Sequence, residues 1–162
     1  MKKYLYWLLP VFWMGVIFYA SDQPYEKQDI KPLLSGGLDL SYFEPLIDWI
    51  SFTYNGTLVS VATHGVAGFI EFFIRKGAHV AVFLLLACFF YIAITKSSQL
   101  PFKYALAISF FGTLAYAITD EVHQGFTPNR TPFIGDVILD AVGAFTAVML
   151  IIAIRHWKNR NG

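Results

Sequence analysis

The residues best equipped for chemistry sit in one stretch, Thr119-Asp120-Glu121-Val122-His123-Gln124-Gly125-Phe126-Thr127-Pro128-Asn129-Arg130. The carboxylates of Asp120 and Glu121 can take a proton or hold a cation, the His123 imidazole can give or take a proton, and the Arg130 guanidinium matches a phosphate. If the helix persists, Asp120, His123 and Gln124 stand at i, i+3 and i+4 and share a face. Arg75, Lys76 and His79 also fall on one helical face, and Asp136 and Asp140 are one turn apart. Ser21 and Gln23 close the first apolar run.

These types fit acid–base work on a phosphate-bearing group, with Glu121 or His123 as base, His79 as acid, and Lys76 and Arg130 as phosphate holders. The expected catalytic residues are His79, Asp120, Glu121 and His123. The expected ligand contacts are Ser21, Arg75, Lys76, Gln124, Arg130, Asp136 and Asp140. Asp120, His123 and Asp140 would be the donors for a divalent ion, but no metal-binding spacing such as His-Glu-x-x-His occurs, so no metal site is assigned and the cofactor stays open. No nucleophile elbow or glycine-rich phosphate loop is present.

The elements that position these groups are apolar. Of 162 residues, 56% are hydrophobic and 14% charged, and mean hydropathy is +0.53, well above a soluble domain of this length. Residues 4–20, 78–95, 104–119 and 137–154 form long apolar runs without the polar stripe of a soluble bundle helix. The sequence therefore predicts an all-α membrane protein, a single domain over 1–162 with four transmembrane helices at about 4–21, 68–95, 102–124 and 135–156. A signal peptide cleaved after Ala20 would put Phe18 where a small residue is expected, so the first run is read as a membrane helix. The single cysteine, Cys88, lies inside the second helix as a packing residue.

Charge gives the orientation. Lys2, Lys3, Lys96, Lys103, Arg155, Lys158 and Arg160 fall on one side with no acid, a total of +7. The other side carries five basic and eleven acidic residues, a total of −6, so both termini are expected in the cytoplasm. The formal net charge of +1 hides this segregation and gives no support to a nucleic-acid partner.

A long extracytoplasmic first loop of about fifty residues follows the first helix, longer than structureless connections usually run. Residues 46–52 read as a short interfacial helix anchored by Trp49 and Phe52, with a turn at Asn55-Gly56 and an extended piece at 58–61. Arg75 and Lys76 also fit snorkelling toward head groups, and Asp136 fits a helix cap. Asp140 is one turn deeper, where an ionised residue costs about 2.5–3.5 kcal/mol, so it needs a partner among Arg130, Lys76 and His79.

Three segments together carry a resemblance: Arg75-Lys76-Gly77-Ala78-His79, Asp120 through Arg130, and Asp136-Val137-Ile138-Leu139-Asp140-Ala141-Val142-Gly143, with Ser21-Asp22-Gln23-Pro24 after the first helix. They resemble the VanZ-like family of small bacterial membrane proteins. The resemblance implies a multi-pass protein of the bacterial plasma membrane, engaged in the cell envelope and linked to susceptibility to teicoplanin-type glycopeptide antibiotics.

Two functions follow. One is an enzyme with an outward-facing polar cavity, acting on a lipid-linked or phosphate-bearing envelope substrate. The other is a non-catalytic binder that holds or masks an envelope lipid or peptidoglycan precursor. Membrane lipids are the expected partners of either, and the oligomeric state is left open. A transporter would want repeated halves and broken helices, which four short helices do not supply.

Overall fold

The computed structural model describes residues 2–37, 39–128 and 131–161. Among them, four helices are long and apolar enough to cross a membrane. The first opens as a 3₁₀ stretch, Lys2–Trp7, and continues as α1, Leu8–Ser21. Pro10 is buried at the point where the 3₁₀ stretch passes into α1.

The first loop is structured. It runs through a 3₁₀ turn at Tyr25–Gln28, α2 at Lys31–Gly37, a second 3₁₀ turn at Leu40–Phe43 and α3 at Glu44–Ile47. An antiparallel hairpin follows, β1 (Ser51–Tyr54) and β2 (Thr57–Ser60), pairing Phe52 with Val59 and Tyr54 with Thr57. Asn55 and Gly56 both take positive φ, the geometry that a two-residue hairpin turn requires. This corrects the short helix expected over residues 46–52: α3 ends at Ile47, and Phe52 is a strand residue packed edge-on against Phe72 and Phe73. Trp49 stays 79% exposed.

Helix α4, Val61–Ser97, also begins before its expected start near residue 68. Ser60 caps it through a reciprocal box with Thr63, a stronger start signal than the β-branched residues 57–61 display in sequence. Gly65, at φ 68° and ψ 169°, then breaks the helix before the apolar run. Helices α5, Phe102–Gln124, and α6, Ile134–Asn161, complete the set.

Small residues bring these helices together. A Cβ on Gly143 would collide with the Val80 carbonyl oxygen, so the α4–α6 crossing is set by backbone against backbone. Ala87, Ala144 and Ala147 extend that seam. On α5 the inner stripe is Ala105, Ser109, Thr113 and Ala117; the Ser109 and Thr113 hydroxyls donate to carbonyls four residues back, so their burial leaves no polar group unmet. The opposite faces show Phe12, Phe111 and Phe145 at 71%, 64% and 56% exposure, surfaces suited to acyl chains.

At one end of the bundle Trp7 bonds Ser97, Tyr91 meets Phe102, and the Arg155 guanidinium lies 4.0 Å from the Phe102 ring centroid. The start of α1, the end of α4, the start of α5 and the end of α6 therefore meet there. Ser21, His79, Asp120 and Asp140 lie toward the other end.

Candidate functional site

Toward that polar end, α1, α4 and α5 enclose a cavity of about 170 Å³. Ser21 enters from α1, Arg75 and His79 from α4, Asp120 and Gln124 from α5, and Gln28 from the loop above. Val16, Ile17, Val82 and Phe83 make the rest of the wall apolar.

His79 ties the cavity to α6. Its Nδ1 lies 3.1 Å from Asp140 Oδ1, and Asp140 is only 1% exposed. A carboxylate accepts, so this contact places the ring proton on Nδ1 and leaves the other ring nitrogen for the cavity. Asp140 thus stands behind His79 and does not line the cavity.

Asp120 is held from two sides. The Ser21 hydroxyl donates to Oδ2 at 2.8 Å and the Gln124 amide to the same oxygen at 3.0 Å. Ser21 is itself fixed, since Thr127 donates to its carbonyl at 3.3 Å. The other oxygen, Oδ1, is buried and has no hydrogen-bond partner among the described residues. A buried acceptor left unmet calls for a water, proton or ligand group.

The neighbours of Asp120 turn elsewhere. Glu121 accepts the Phe133 backbone N–H at 2.6 Å and so anchors the approach to α6. His123 stacks on Phe18 with centroids 4.1 Å apart, and its Nε2 lies 3.9 Å from Asp22 Oδ1. At about 100° per residue, Gln124 stands roughly 40° to one side of Asp120 and His123 roughly 60° to the other. That difference sends the amide into the cavity and the imidazole to the flank of α1.

Lys76 also lies off the cavity. It pairs with Asp136, and its Nζ sits 4.5 Å from the centroid of the Tyr54 ring. The Tyr54 hydroxyl donates to the same Asp136 oxygen. Burial, reinforced by that carboxylate, pushes the Tyr54 phenol well above its ordinary pKa of 10.0. Lys31, Tyr54, His64, Arg75 and Lys76 border a second pocket of about 480 Å³ beneath the hairpin, so Arg75 is common to both. Arg130 lies outside the described residues. Among the described residues no three His, Cys, Asp or Glu side chains converge to hold a metal ion.

A profile of the VanZ/LLP1 family matches residues 6–155. The chain belongs to that family. No curated protein and no solved structure matched it. With its four long apolar helices, this VanZ/LLP1 member is a multi-pass membrane protein. The matched range takes in all four helices and each residue of the cavity.

Two contributors to this VanZ/LLP1 site were not singled out in sequence. Gln28 donates its amide to the Ala20 carbonyl and lines the cavity from the loop, where no periodicity pointed to it. Tyr54 immediately precedes Asn55-Gly56, a turn signal that marks a hairpin but not what the hairpin rests on.

Proposed function

We propose that this VanZ/LLP1 protein resides in the bacterial plasma membrane with both termini in the cytoplasm, and that its cavity faces outward and acts on a phosphate-bearing, lipid-linked envelope substrate. The segregation of +7 and −6 supports the orientation. One observation carries the reading: His79, backed by the buried Asp140 at 3.1 Å, meets Asp120 and Gln124 on the wall of a cavity between helices long and apolar enough to cross a membrane. Ionisable groups inside membrane helices point to function by default, because each must be stabilised by a partner.

In this scheme the Arg75 guanidinium is the phosphate contact, since it is the planar cation on the wall. His79 gives or takes a proton through the ring nitrogen that Asp140 leaves open. Asp120 takes the role first given to Glu121 or His123, because it lines the cavity and they do not, with Ser21 and Gln124 holding one of its oxygens and the other unmet. Work on an envelope precursor would account for the family's link to teicoplanin-type glycopeptides.

The test incubates purified full-length protein with an envelope lipid extract and follows every phosphate-bearing species by mass spectrometry. Wild type is expected to alter one of them, and His79→Gln and Asp120→Asn to leave it unaltered. If wild type returns all lipids unchanged, the catalytic reading fails; stoichiometric retention of one unchanged lipid would identify a holding protein instead.

A further inference from the structure

The cavity is polar at one side and apolar at the other, and the way α1 is tethered gives it a sideways opening. Near the first turns, α1 is tied to α4: Trp7 bonds Ser97 at 3.1 Å, and Trp13 donates to the Val82 carbonyl at 2.9 Å while meeting Phe89 edge-on. Beyond Trp13 its hydrogen bonds and ring contacts go to α5. Tyr116 donates to the Met14 carbonyl at 2.6 Å, Phe18 stacks on His123, and Ser21 bonds Asp120. Ile17 still packs in one core cluster with Phe83 and Leu86 of α4, and the cavity lies beside that contact, between α1, α4 and α5.

The lips of that gap are Val16 and Ala20 on α1 and Ala78 on α4. All three line the cavity and are exposed, Val16 at 39%. Above them, the Gln28 amide bonded to the Ala20 carbonyl partly roofs the space. At about 170 Å³ the cavity is smaller than the roughly 300–1,000 Å³ pockets that enclose whole ligands. It has room for a head group, while a hydrocarbon chain would have to leave through the gap.

We propose that the gap between α1 and α4 is a lateral portal through which a single amphiphile enters from the lipid layer. Its phosphate lies against Arg75 and His79, a hydroxyl of its head group donates to Asp120, and its chain leaves between Val16 and Ala78. This rests on the proposed phosphate-binding cavity and adds the route: the lipid enters sideways from the lipid layer, with its chain left in the gap, rather than from the water. Charge and polarity match along the length of such a ligand. Arg75 stands at the polar end for the phosphate, the unmet Asp120 oxygen for a head-group hydroxyl, and the aliphatic side chains of Val16 and Ala78 line the rest.

The experiment uses full-length protein in detergent micelles and two probes, phosphatidylglycerol and its head-group fragment glycerol 3-phosphate, measured by equilibrium binding. Val16→Trp and Ala78→Trp, which obstruct the lips, are compared with Phe111→Trp on an exposed face of α5 away from the cavity. Obstruction is expected to weaken phosphatidylglycerol roughly tenfold or more while glycerol 3-phosphate changes less than about twofold, and Phe111→Trp to change neither. Unchanged phosphatidylglycerol binding in both lip variants would overturn the portal, as would equal loss of both probes. If wild type binds neither probe, the phosphate-cavity reading itself fails. Loss of both probes on Arg75→Gln alone would keep that reading and separate the two failures.

Discussion

At one end of the bundle Trp7 donates to Ser97 and Arg155 rests on Phe102, contacts that close at the surface between neighbouring helix ends. At the other end Ser21, Asp120, Gln124 and Asp140 are all less than a tenth exposed, and Asp120 keeps an oxygen with no partner among the described residues. Both ends contain charge and hydrogen-bonding capacity, so composition does not separate them. Placement does: the first end anchors helices where water and head groups can relieve any mismatch, whereas the second holds carboxylates inside the helix layer. Polar groups there must satisfy one another, and the incomplete part of their network faces a cavity.

This contrast is open to attack at its strongest point first. Asp140→Ala removes the buried partner of His79 and is expected to cost roughly 3 kcal/mol, the low side for breaking a buried pair because His79 is itself partly exposed. Thermal unfolding in micelles measures it; a loss no greater than that of a surface substitution would place Asp140 among the passive groups.

Next is Tyr54→Phe, expected to cost about 1 kcal/mol at neutral pH through the lost bond to Asp136. Its pH dependence sharpens the comparison. The Tyr54 phenol is raised by burial and by Asp136, so the native protein keeps a proton that the unfolded chain loses above pH 10.0. Stability is fully present below that pH and falls as pH rises beyond it. Melting between pH 8 and pH 11 (about the accessible range) should show a decline that Tyr54→Phe flattens; identical slopes would remove Tyr54 from the account.

The smallest effect is expected from Trp7→Phe at the opposite end, about 0.5–1 kcal/mol, since the hydrogen bond to Ser97 is lost where solvent can replace it. A cost equal to that of Asp140→Ala would erase the difference between the ends.

The helical frame was readable because each apolar run is nearly long enough to cross a bilayer by itself, and Asp140 inside the last run demanded a partner, which among the three sequence candidates is His79 in the structure. Other features depend on contacts that no local pattern encodes. Glu121 looks as reactive as Asp120 in sequence, yet a single residue turns it toward the Phe133 amide. Lys76 reads as a phosphate contact until the hairpin carries Tyr54 across to the same Asp136 oxygen. The two-residue turn at Asn55-Gly56 fixes the register of β1 and β2, but where the hairpin rests is set by aromatic packing on Phe72 and Phe73, which a sequence window cannot see. The end of α1 is held to α5 by Tyr116 and Asp120, about a hundred residues away in the chain.

The most direct test of a His79-centred cavity is nitrogen NMR of the full-length protein labelled at its four histidines, His64, His79, His123 and His156, before and after addition of phosphatidylglycerol. The account expects His79 to show its proton on Nδ1 and its other ring nitrogen to shift on ligand binding, with His123 and His156 unmoved. A shift at His64 or His123 with His79 silent would contradict it.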